Sequence, residues 1–126
     1  MDEGAEERDR MRTITTHHTN EANKAITVEV VEDENGEPHK YHLSANGDEQ
    51  ACLSFQWGPI KTHGVNGITN EVLLAIVADR LEYFQRGPFA CVENAAALAS
   101  VKNAANALES RTRGREARGV EGTHTP

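Results

Sequence analysis

The sequence predicts an α+β fold: a small N-terminal antiparallel β-sheet of about three strands, then a long antiparallel two-helix hairpin that self-associates. Three observations carry this. Two Asn-Gly pairs, at 35–36 and 46–47, separate short segments of alternating polarity. From Val72 onward the apolar residues recur at helical spacing. A Gly-Pro pair at 87–88 then divides that helical stretch in two.

The elements follow in order. Residues 1–24 are rich in Glu, Asp, Arg, Thr, His and Asn, with Met1, Met11 and Ile14 their main apolar residues. They are expected to form an unstructured acidic arm. The adjacent His17 and His18 suggest a metal, but a structural site needs about four ligands in fixed geometry. Ile26, Val28 and Val30 alternate with Thr27 and Glu29, a strand pattern. His39, Tyr41 and Leu43 repeat it after the first Asn-Gly, and Ala51, Leu53, Phe55 and Trp57 after the second. The meander is expected over 25–60, with one apolar face that needs a cover.

Gly58-Pro59 ends the third strand, and Lys61 to Gly67 reads as a loop. Thr69 offers an N-cap oxygen, and Glu71 lies in the first turn, where a negative charge meets the helix dipole. Leu73, Ile76, Val77, Leu81 and Phe84 give the first helix its face. The second helix is expected from about Ala90 to about Ala117. Its seam is Leu98, Val101, Ala105 and Leu108, spaced 3, 4 and 3. At about 28 residues it measures roughly 42 Å, more than a small sheet covers, and the exposed remainder predicts an oligomer. Residues 61–126 thus read as a helical hairpin with an Arg/Gly tail, and 25–126 as one domain.

Composition narrows the function. The chain has 126 residues, of which 37% are hydrophobic, below the roughly 45–50% of a typical globular chain. A core must be small or shared with a partner chain. No apolar run approaches the roughly 20 residues of a membrane span, and the acidic N-terminus does not read as a signal peptide. Cys52 and Cys91 form no CxxC pair, so neither a zinc knuckle nor a disulfide framework is expected, and a reducing intracellular setting is the default. Residues 1–50 carry a net charge of −8, and residues 51–126 carry +1. An acidic protein is poorly suited to duplex DNA, because the polyanion is repelled at long range. The arginine cluster at 111, 113, 115 and 118 suits a small anion better.

Catalytic signatures are missing: there is no GxSxG, P-loop or HExxH. Cys91 with His63 as base is one reading, and a small packing cysteine is the other. Glu93 and Asp79 read as helix-surface charges. The arginines are more informative. Arg111, Arg115 and Arg118 lie at i, i+4 and i+7, so on a helix they share one stripe. Their forks match a phosphate, or they complement the negative end of the helix. Gly119, Gly122 and Thr123 follow directly, and glycines let backbone N–H groups approach an oxyanion. Phe84 is either a stacking surface or core. Asn94 reads a purine edge or caps the first turn of the second helix.

Two segments in this stretch, GPFACVENA (87–95) and ARGVEGTHT (117–125), are specific. With residues 53–125 around them, they resemble the phage-encoded Thoeris anti-defence protein 1 family, whose helical hairpin is shared with the anti-CBASS protein 2 sponges. The resemblance implies a non-enzymatic protein that needs no cofactor. Such a sponge sequesters glycocyclic ADP-ribose and, in some members, cyclic trinucleotides such as cyclic triadenylate, in the cytoplasm of the infected bacterium. It implies that Phe84 stacks on adenine and that Asn94 hydrogen-bonds the ligand. Arg111 and Arg115 would hold the pyrophosphate from a neighbouring protomer. Arg118, Gly119, Gly122 and Thr123 would line a separate pocket for the cyclic trinucleotide. It also implies dimers that assemble as a trimer of dimers. Other readings of the same chain are a protein–protein inhibitor of an immune effector and an enzyme that cleaves the messenger. Helix two departs from the family pattern at Asn103, Asn106 and Gly114; a helical Gly costs about 1 kcal/mol relative to Ala.

Overall fold

The structure, a computed structural model, describes residues 10–126. These divide into two compact units, one of residues 10–57 with 65–68, the other of 58–64 with 69–126.

The first unit is a four-stranded antiparallel sheet, one strand more than expected. Its order is β1 (Arg10–Ile14), β2 (Ile26–Glu32), β3 (Pro38–Ala45) and β4 (Asp48–Ser54). The part of the expected unstructured arm at 1–9 lies outside the described residues. Within the rest, β1 pairs with β2 from Arg10↔Glu32 to Ile14↔Val28, and α1 (Glu21–Lys24) is capped by the Asn20 side chain. The backbone supplies the pairing of β1, and Arg12 forms an ion pair with Glu32 across it. A strand so poor in apolar residues carries no alternation to read. His17 and His18 both place Nε2 at the Ile26 carbonyl, at 2.7 and 3.0 Å.

Both Asn-Gly turns are present. Asn46 and Gly47 have φ of 51° and 86°, the left-handed pair that a two-residue hairpin requires, and Ala45 pairs with Asp48 across them. The longer turn at 33–37 is built on Asp33. Its Oδ1 accepts the N–H groups of Asn35 (2.8 Å) and Glu37 (3.0 Å), and its Oδ2 accepts the indole N–H of Trp57 at 3.0 Å. Val30 is fully buried and Val31 nearly so; as neighbours on a strand they face opposite sides, so β2 has cover on both faces.

The third strand ends sooner than its alternation suggests. β4 stops at Ser54, and Phe55 forms a parallel bridge with Ile68. A Cβ on Gly67 would lie 2.4 Å from the Phe55 carbonyl carbon, so glycine is what lets the returning chain run there. Asn66 closes the junction: its Oδ1 accepts the Trp57 N–H (2.9 Å) and its Nδ2 donates to the Trp57 carbonyl (2.8 Å).

The second unit is the hairpin. It opens with α2 (Ile60–His63), in a stretch expected to be loop, and continues with α3 (Asn70–Gln85) and α4 (Val92–Ala117). Thr69 caps α3 through Oγ1 to the Val72 N–H. Gly87 donates its N–H to the Phe84 carbonyl as α3 ends, and Pro88, having no N–H, cannot extend it. Along α4 the better-covered positions are 94, 98, 101, 105, 108, 112 and 115. Their alternating spacings of four and three extend the predicted seam in both directions. Lys102 and Glu82 join the helices at 3.1 Å. The seam is nevertheless thin: neither helix has a fully buried apolar residue, and Ile76 of α3 is 53% exposed. No helix among the described residues is long and apolar enough to cross a membrane.

Two measurements bear on these features. The Trp57 indole N–H, followed by the backbone N–H of Glu37, holds the Asp33 carboxyl below its ordinary range, against the opposing effect of burial. Its contribution to stability is present above the unfolded carboxylate value of about 3.9 and is lost as pH falls through the lower native value. The denaturant midpoint of the sheet, followed by Trp57 fluorescence, should therefore fall as pH is lowered below about 4, and should fall less steeply in Asp33→Asn. Gly114 lies within α4, and a Cβ added there would meet nothing within 4 Å. Gly114→Ala should raise the thermal midpoint, by about 0.5–1 kcal/mol in stability.

Candidate functional site

The tip of the hairpin gathers aromatic rings and arginines. Phe84, in the last turn of α3, and Phe89, in the turn before α4, lie with ring centroids 6.3 Å apart at 73°. Tyr83 meets Phe84 edge-on at 5.3 Å. The Arg80 guanidinium sits 5.7 Å from the Phe84 ring centre, and that of Arg86 5.9 Å from Tyr83. Tyr83, Phe84, Arg86 and Phe89 line an open cavity of about 360 Å³. Among the described residues, neither Arg80 nor Arg86 forms an ion pair with a carboxylate.

Asn94 belongs to the same place. Cys91 caps α4 by accepting the Asn94 N–H on Sγ at 3.4 Å, and the Asn94 side-chain Nδ2 donates to the Phe89 carbonyl at 3.4 Å. Gln85 reaches across the turn to accept the Cys91 N–H at 3.0 Å. Phe84 and Asn94 are thus brought to one end of the hairpin by the turn between them. The sequence points to these two residues and not to Tyr83, Phe89, Arg80 or Arg86. The signal available for Phe89 is its place just beyond Gly87-Pro88, five residues from Phe84.

The arginine stripe lies at the other end of α4. Arg111 lies seventeen positions after Asn94, about 26 Å along a helix. One chain therefore cannot bring both to the same small ligand. The three arginines of the stripe differ in their partners. Arg111 is exposed and has no hydrogen-bond or ion-pair partner among the described residues. Arg115 is only 7% exposed and turns into the tail. Its Nε donates to Glu121 Oε1 (2.8 Å), its Nη1 to the Thr125 carbonyl (2.7 Å), and its Nη2 to the carbonyls of Val120 (2.9 Å) and Thr123 (3.1 Å). Arg118 donates to the Pro126 carbonyl at 3.0 Å. Four of the five N–H groups of Arg115 are therefore committed within the chain.

The tail that carries Gly119, Gly122 and Thr123 is a defined hook. Gly119 has φ +74°; its N–H donates to the Glu116 carbonyl, and the Val120 N–H to that of Arg115. This is the left-handed glycine closure of a helix C-terminus. The Thr123 hydroxyl donates to the Val120 carbonyl. The Gly122 carbonyl accepts the Lys61 N–H from α2 at 3.1 Å. The structure thus brings Arg118, Gly119, Gly122 and Thr123 into one hook and adds Glu121, to which the sequence does not point. Its spacing of six from Arg115 matches no helical pairing rule.

A small antiparallel sheet followed by a two-helix hairpin, with an aromatic tip and an arginine-rich end, sets this chain among the hairpin-domain proteins. The family profile described as "Acb2/Tad1, hairpin domain" matches residues 53–113, from within β4 almost to the end of α4. The chain is 37% identical over 122 residues to Thoeris anti-defense 1 of Bacillus phage SBSphiJ7, an alignment that covers 94% of this chain and 86% of that one. It belongs to the Thoeris anti-defense 1 family.

The hook can be probed at Gly119. A Cβ there meets nothing within 4 Å, so the cost of substitution is conformational. Gly119→Ala should weaken the hook by about 1–2 kcal/mol, seen as faster hydrogen exchange at the Val120 amide, and Gly119→Asn should weaken it less.

Proposed function

We propose that this protein is a phage anti-defence sponge, which binds cyclic nucleotide messengers of bacterial immunity and releases them unchanged. The observation that carries this reading is a tip of clustered aromatic rings together with an Arg111 that has no hydrogen-bond or ion-pair partner among the described residues, in a chain 37% identical to a protein named for anti-Thoeris defence. Glycocyclic ADP-ribose offers an adenine for the Phe84 ring, base and sugar polar groups for Asn94, and a pyrophosphate for arginine. Arg111 supplies a whole guanidinium fork, and Arg115 adds the one N–H that the tail leaves over. A cyclic trinucleotide such as cyclic triadenylate binds at the tail, against Arg118, Gly119, Gly122 and Thr123.

The length of α4 supports a homo-oligomer. The tip and Arg111 are about 26 Å apart along the helix, so a complete site needs the Arg111 of a second copy laid antiparallel. The exposed apolar side chains Val72, Ile76 and Val77 on α3 provide surface for such a copy, and a trimer of dimers is the assembly proposed. The place of action proposed is the cytoplasm of the infected bacterium, where the messengers are made.

Isothermal titration with glycocyclic ADP-ribose, then with cyclic triadenylate on the saturated protein, tests this reading. Phe84→Ala should weaken the first ligand by about 1–3 kcal/mol, the usual worth of a base–aromatic stack. Arg111→Ala should weaken it by about 2–5 kcal/mol, since a desolvated phosphate loses a charged partner. Intact ligand recovered after heating the complex excludes messenger cleavage. If neither ligand binds, the reading fails, and capture of the immune effector without nucleotide would favour the protein–protein inhibitor.

A further inference from the structure

We infer that Glu121 is a positioning residue: by fixing Arg115, it holds the C-terminal hook in the shape that the tail ligand meets. The ligand part of this inference rests on the tail site proposed above; the hook itself is in the structure.

Arg115 grips the tail through four acceptors, and three of them are main-chain carbonyls, those of Val120, Thr123 and Thr125. They come from successive parts of the tail, so a single planar guanidinium fixes the path of residues 120–125. Carbonyls alone leave its positive charge uncompensated in a nearly buried position. The Glu121 carboxylate supplies the compensation, at 2.8 Å and only partly exposed. Removing one member of such a pair strands the other, which costs more than the pair contributes on balance. Glu121 also lies between the two left-handed glycines, Gly119 and Gly122. With its side chain anchored on Arg115, it sets the direction of the chain from one glycine to the next.

The fork geometry is specific. Lysine would keep the charge at 115 but offers three N–H groups from one atom, and cannot reproduce acceptors spread across Nε, Nη1 and Nη2. Glu121 bears on none of the tip residues: Phe84 and Asn94 lie at the far end of α4. It reaches the pyrophosphate only through the one N–H that Arg115 has left over, so its loss should weigh more heavily on the tail ligand.

The test compares the wild type, Glu121→Ala and Glu121→Gln in the full-length protein, by hydrogen exchange without ligand and by titration. In Glu121→Ala the Val120 and Thr123 amides should exchange at least about tenfold faster, as expected when a charge-assisted bond is lost. The amides of Leu98, Val101 and Ala105 should keep wild-type protection. Cyclic triadenylate affinity should fall by a similar factor, and glycocyclic ADP-ribose affinity by a smaller one, since Arg115 gives that ligand a single N–H. Glu121→Gln keeps an acceptor for Arg115 Nε without the charge, and should recover part of both losses. Tail amides as protected in Glu121→Ala as in the wild type would overturn the inference, as would a uniform loss of protection along α4 or an equal loss for both ligands. Should the wild type bind neither nucleotide, the functional reading falls, and the exchange data alone still decide whether Glu121 holds the hook.

Discussion

Seven positions of α4, from Asn94 to Arg115, alternate at spacings of four and three and form the line along which the hairpin is held. The rest of the helical unit depends on that line. It runs from Asn94 beside the tip to Arg115, which turns inward at the point where the tail folds back. Apart from Arg115, the seam buries none of its residues completely. Ala105, a small residue in the middle of the seam, removes little apolar surface from water. A hairpin of this kind has its geometry fixed by spacing more than by the size of its core.

Where apolar burial is scarce, polar closures take over. Asp33 gathers two main-chain N–H groups and the Trp57 indole, so the β2–β3 turn and the end of the sheet are tied by one carboxylate. Arg115 does the reverse at the tail, where one cation gathers a carboxylate and three carbonyls. In both cases a single charged group satisfies several backbone partners at once. Such closures are directional and fix chain path, which apolar contacts do not.

The legibility of the sequence follows the same division. Strands β2 to β4 are readable because Asn-Gly turns and alternation are local signals. Thr69 announces α3, and spacing announces the seam of α4. β1 is hidden because its pairing is made by backbone, while its side chains are mostly Arg and Thr. The run at 65–68 is hidden because its partner, Phe55, is at least ten residues away and the permissive feature is the missing Cβ of Gly67. At the candidate site, Phe84 and Asn94 are accessible as residue types in place, whereas the grouping of Tyr83 and Phe89 around them needs the turn to be built. In sequence, Arg115 looks like part of an open stripe. Its burial depends on Glu121 and on a tail whose course no helical period describes.

The clasp between Trp57 and Asn66 frees the segment that it encloses. Their paired hydrogen bonds, at 2.9 and 2.8 Å, join the point where the chain leaves the sheet to the point where it returns. The eight residues between them are a closed detour whose ends are already fixed. Closing a longer detour costs little, about 0.6 kcal/mol for each doubling of its length. Segment length there is consequently uncoupled from strand register, and this junction is a place where relatives can differ by insertion or deletion while the sheet keeps its pairing.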